Sequence, residues 1–149
     1  MLTLLLALTL AFIWGNSLLS RETSGMLSDT LMEKLNAAAA FLGLPEDLFT
    51  VMADTDDDGI EEESSYLIRK AAHVTEFAVL SALLWLRLGP ESPRRGRLTL
   101  GLCAAVAAAD ETIQIFSRRG PSVIDVGIDC CGAALGWLLV SRVFRRPQA

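Results

Sequence analysis

The chain has 149 residues, 52% of them hydrophobic, and 13 Lys and Arg against 18 Asp and Glu give a formal net charge of −5. This length suits one domain, and the acidic balance excludes the basic footprint that a nucleic-acid partner requires. Mean hydropathy is +0.41, with the apolar residues gathered in long blocks, which points to a bilayer as the solvent and away from a water-surrounded core.

The first apolar block covers residues 1–19. No Lys or Arg precedes Arg21, so the basic start of a secretory signal is missing and the block reads as a retained span. Residues 20–65 follow, with 12 acidic and 2 basic side chains. Leu27, Leu31, Leu35, Ala38 and Leu42 share one helical face there, which predicts an amphipathic helix over 28–42 lying along the membrane surface. Pro45 stands where a further helical turn would begin. Asp54-Thr55-Asp56-Asp57-Asp58-Gly59 matches the first half of a calcium loop, but the twelfth position is Ser65, where a bidentate carboxylate belongs. Asp54, Asp56 and Asp58 therefore read as part of a solvated acidic linker.

The second block runs over 66–88, and Gly89, Pro90, Pro93 and Gly96 mark a short loop. The third covers 98–116. A turn over 117–122 leads into the fourth, 122–143, with Ser122 as N-cap and Asp125 three residues on. Each later block has about 19 to 23 residues, enough for a helix to cross ~30 Å of hydrocarbon. The expected fold is all-α: one polytopic membrane domain over 1–149 with four transmembrane helices and an outer acidic loop. Cys103, Cys130 and Cys131 lie in apolar blocks with no Cys-x-x-Cys pair and one His in the chain, so they read as small packing residues and a zinc finger is excluded. Gly132 and Gly136 form Gly-x-x-x-Gly, a site of close helix approach. Arg87, Arg94, Arg95 and Arg97 and the tail residues Arg142, Arg145 and Arg146 fall on one side, which predicts cytoplasmic N- and C-termini and an extracytoplasmic segment 20–65.

The apolar blocks carry ionisable groups in register. Arg69, His73 and Glu76 are spaced by 4 and 3, Asp110, Gln114 and Arg118 by 4 and 4, and Ser122, Asp125 and Asp129 by 3 and 4, so each helix has one polar stripe at one end. At ~1.5 Å per residue His73 and Asp129 lie about 10 Å below the outer boundary, Asp110 about 12 Å and Glu76 about 15 Å. Arg69, Gln114 and Asp125 form a shallower ring at roughly 5 Å. A charge facing lipid costs about 2.5–3.5 kcal/mol on insertion scales. The five acids Glu76, Asp110, Glu111, Asp125 and Asp129 should thus meet one another, the cations Arg69, Lys70, Arg118 and Arg119, and water, in a polar cavity opening outward.

These residues resemble the motifs of VanZ-like membrane proteins. Arg69-Lys70-Ala71-Ala72-His73-Val74-Thr75-Glu76-Phe77 resembles that family's "RK-x-x-H-x-x-E-[YF]". Asp110-Glu111-Thr112-Ile113-Gln114 resembles its "DE-x-x-Q", with Arg118 or Arg119 matching the Arg that follows. Asp125-Val126, Asp129 and Gly132 resemble its "D-[VI]-x-x-[ND]-x-x-G", with Asp129 where Asn is the expected residue. The resemblance covers about residues 66–140. It implies a small bacterial envelope protein of the cell membrane, and a link to low-level resistance to the glycopeptide teicoplanin.

Two readings of function stay open. In the first, the outer cavity binds an anionic headgroup or a cell-wall lipid, with Arg69, Lys70, Arg118 and Arg119 meeting phosphate and Gln114, Asp125 and Asp129 completing the site. In the second, the chain is a membrane enzyme. His73 is then a general acid or base among Glu76, Asp110 and Glu111, or His73, Glu76, Glu111 and Asp129 hold a divalent metal. The partners expected are the bilayer and a lipid or cell-wall precursor. A proton path finds no support in the apolar inner halves of the spans.

Overall fold

The computed structural model describes residues 1–19, 21–45, 63–89, 94–116 and 122–144. All regular structure among them is helical: α1 (Leu2–Leu18), α2 (Arg21–Phe41), α3 (Glu63–Leu88), α4 (Arg95–Phe116) and α5 (Val123–Val143). Backbone punctuation sets the ends. Gly43 takes φ +76 after α2, with Leu44 N donating to Ala39 O at 3.0 Å, and Gly89 takes φ +69 after α3; this left-handed region admits Gly without strain. Ser122 caps α5 as its sequence position suggests, its Oγ accepting from Asp125 N at 3.3 Å. The acidic stretch containing Asp54, Asp56 and Asp58 lies outside the described residues, as do Arg118 and Arg119.

Among the described residues three helices are long and apolar enough to cross a membrane: 68–88 of α3, α4, and α5. The apolar α1 is shorter, at 17 residues, about 25 Å by helical rise, so it falls short of the other three by length. It runs antiparallel to α3. Arg87 Nε donates to Thr3 Oγ1 at one end, and Asn16 meets Glu76 at the other.

The most extensive helix pairing is α3 with α5. The two are parallel and in step: Lys70 pairs with Asp125 and His73 with Asp129, then Gly132 lies on the backbone of Val74 and Gly136 on that of Ala78. A methyl group at either glycine would run into main chain, so Gly-x-x-x-Gly serves close helix approach here. α4 lies antiparallel beside them. Ile13, Phe77, Leu80, Cys103, Ala107 and Ala133 form a dry core below the polar end. At the opposite end Arg95 stacks on Trp85, its Cζ 3.4 Å from the ring centroid, and Gly96 abuts Trp137.

α2 covers most of the stretch read as an amphipathic helix, and the leucine face read as lying along the membrane surface is largely exposed. Ser28, Met32 and Ala39 are buried, while Leu27 and Leu31 are 56% and 46% exposed. The leucine stripe, turned by about one residue (~100° at 3.6 residues per turn) from the buried face, overhangs a cavity beside α3.

Candidate functional site

On α4 the apolar stripe Cys103–Ala107 continues at spacings of 3 and 4 as Asp110 and Gln114, so the face that packs the core also carries the polar groups inward. α5 does the same with Asp129, one turn before Gly132, and α3 with His73 and Glu76 beside Phe77 and Leu80. His73, Asp110 and Asp129 each offer a ligand atom, all within 4.8 Å of one another, although the residues come from three helices. Asp110 and Asp129 are both 0% exposed.

Each group has identifiable partners. His73 Nδ1 and Asp129 Oδ1 lie 3.0 Å apart. Ser17 Oγ donates to Asp110 Oδ1 at 2.6 Å, and Gln114 Nε2 donates to Asp110 Oδ2 at 3.1 Å and to Glu111 Oε1 at 3.2 Å. Glu111 Oε2 accepts from Ser122 N at 2.6 Å, which ties the end of α4 to the start of α5. Asn16 Nδ2 donates to Glu76 Oε1 at 2.7 Å. Asp129 Oδ2 is buried and has no hydrogen-bond partner among the described residues. A buried carboxylate oxygen in that position forfeits a hydrogen bond it would have had in water.

Of the residues expected to converge, His73, Glu76, Asp110, Glu111, Gln114 and Asp129 share this end of the bundle. The Lys70–Asp125 ion pair forms one turn further out, so these two satisfy each other. Asn16 and Ser17 are the residues that sequence reasoning missed. Their signal is faint: a polar pair at the end of an otherwise apolar helix.

The cavity differs from the one expected. It measures about 550 Å3 and lies among α1, α2 and α3, with Asn16, Ser28, Arg69, His73, Thr75 and Glu76 as its polar lining. Phe12, Leu19, Leu27, Leu31, Leu35 and Ile68 supply its apolar wall. Asp110, Glu111, Gln114 and Asp129 are sealed behind that wall, at 5% exposure or less, because close approach of α3 to α5 leaves no space between them. His73 belongs to both, lining the cavity while it pairs with Asp129. Arg69 is half-buried in the lining and makes no ion pair among the described residues.

A family model described as VanZ/LLP1 matches residues 1–145 of the chain. No curated protein and no solved structure matches it.

Proposed function

The chain belongs to the VanZ/LLP1 family and is a VanZ-like membrane protein; on that premise we propose that it binds an anionic amphiphile of the bacterial cell envelope in the cavity among α1, α2 and α3. The observation that carries this reading is the make-up of that cavity. One wall is a leucine stripe fit for an acyl chain, and the other holds Arg69 beside His73, with no carboxylate partner among the described residues. A guanidinium free to form paired hydrogen bonds is the side chain best suited to a phosphate or carboxylate headgroup. Glu76, held at one oxygen by Asn16, keeps the other for a hydroxyl of the same ligand.

In this reading α1 is a fourth span, and α2 lies along the outer surface of the bilayer as a roof over the cavity. Arg87, Arg95, Arg97 and Arg142 gather with Trp85 at the far end of the bundle. An excess of basic residues marks the cytoplasmic side of a membrane protein, so in this reading the polar end is extracytoplasmic. The teicoplanin link implied by family resemblance would then act through sequestration or shielding of an envelope lipid.

Native mass spectrometry of the purified chain, titrated with phosphatidylglycerol, phosphatidylcholine and inorganic phosphate, tests the proposal. Phosphatidylglycerol should bind in preference to phosphatidylcholine and be recovered intact, free phosphate should not bind, and Arg69→Gln should weaken retention about tenfold or more (a charge-assisted hydrogen bond contributes about 1.5–3 kcal/mol). Equal binding of both lipids by the native chain and by Arg69→Gln would overturn it, and turnover of the bound lipid would favour an enzyme.

A further inference from the structure

The buried end of the cluster, which meets the cavity at His73, holds a second set of groups. Asp110 and Asp129 are two carboxylates removed entirely from solvent. Among the described residues their side-chain partners are a serine hydroxyl, a glutamine amide and one imidazole. Among the described residues neither meets a lysine or arginine, and Lys70 pairs with Asp125. Buried charges persist when they are paired or bind a metal. Asp129 Oδ2, fully buried and without a hydrogen-bond partner among the described residues, supplies a second and independent observation: an acceptor within the cluster that no described donor meets.

We infer that His73, Asp110 and Asp129 form a binding site for one divalent transition-metal ion of nitrogen and oxygen preference, such as Mn2+ or Zn2+. Two carboxylates and a dication sum to zero charge, which removes the imbalance that His73 alone leaves. One imidazole with two carboxylates suits these ions, and the donor set holds no thiolate to select a softer one. The donor atoms lie within 4.8 Å of one another. Metal–ligand bonds of about 2.0–2.2 Å place neighbouring donors about 3–3.5 Å apart, so binding draws the side chains inward by roughly an ångström. The proton joining His73 Nδ1 to Asp129 is released as the ion enters. Ser17 and Gln114, bonded to the two oxygens of Asp110, are then positioning residues that orient a ligand without touching the metal. Three protein ligands leave a coordination position for water.

The test is titration of chelator-treated native chain with Mn2+, followed by electron paramagnetic resonance, and with Co2+, followed by its visible spectrum. One equivalent should bind, with a cobalt spectrum that His73→Ala and Asp129→Asn each abolish. Ser17→Ala should weaken affinity about 10- to 100-fold, the range for loss of a group that orients a ligand. The combined replacement Asp54→Asn, Asp56→Asn and Asp58→Asn should leave binding unchanged, which removes the acidic linker as the source. Failure of the native chain to take up one equivalent overturns the inference whatever the variants do, as does uptake that survives Asp129→Asn and is lost in the linker variant. A chain that holds phosphatidylglycerol but no metal overturns this inference alone.

Discussion

Ser17 donates its hydroxyl to Asp110 at 2.6 Å, and both side chains are out of solvent. Thr9, on the same helix, is half-buried and among the described residues bonds to the carbonyl of Leu5 in its own helix. The two hydroxyls should therefore differ in what they contribute. Ser17→Ala leaves a buried carboxylate oxygen short of a donor, at a cost of about 1–3 kcal/mol, while Thr9→Ala should be close to neutral. Thermal unfolding in detergent checks this: Ser17→Ala should lower Tm by roughly 3–10 °C, and equal Tm values for the two variants would show that the α1–α4 bond contributes nothing. At this scale the sequence is informative about His73, Asp110 and Asp129, because an ionisable group within an apolar helix must turn inward to find a partner. It is silent about Ser17 and Asn16, since a short polar side chain near a helix end is equally at home in water.

Three stripes at spacings of 3 and 4 are legible in the sequence because the helical period fixes which residues share a face. How two faces meet is a different matter. The α3–α5 contact is so close that Gly132 and Gly136 rest on main chain, and this closeness is what turns an expected wet pocket into a sealed cluster. Periodicity likewise does not tell what each face of α2 meets: Leu27, Leu31 and Leu35 line the cavity, while Ser28, Met32 and Ala39 are buried. Gly136→Ala should cost about 1–3 kcal/mol through overpacking, outweighing the gain of about 1 kcal/mol in helix propensity. Gly101 and Gly127 have nothing within 4 Å of an added methyl, so Gly101→Ala and Gly127→Ala should hold or raise Tm. A Gly136→Ala variant as stable as these controls would mean that α3 and α5 stand further apart.

Across the whole molecule the ends differ in kind. Arg87, Arg95, Arg97, Arg142 and Trp85 occupy one end, the His–Asp cluster and the cavity with Arg69 the other, and the apolar core about Ile13, Phe77 and Leu80 separates them. The proposed site, set at one end of the bundle, suits capture of a ligand from that side better than transport across the apolar core. The most direct test of this account uses Ala72, an exposed residue of the cavity lining. With Cys103, Cys130 and Cys131 replaced by alanine, Ala72→Cys in intact cells should react with a membrane-impermeant maleimide added outside, and in purified protein phosphatidylglycerol should slow that reaction while phosphatidylcholine does not. Labelling only after the cells are permeabilised, or at a rate indifferent to either lipid, would contradict an outward site that holds an anionic amphiphile.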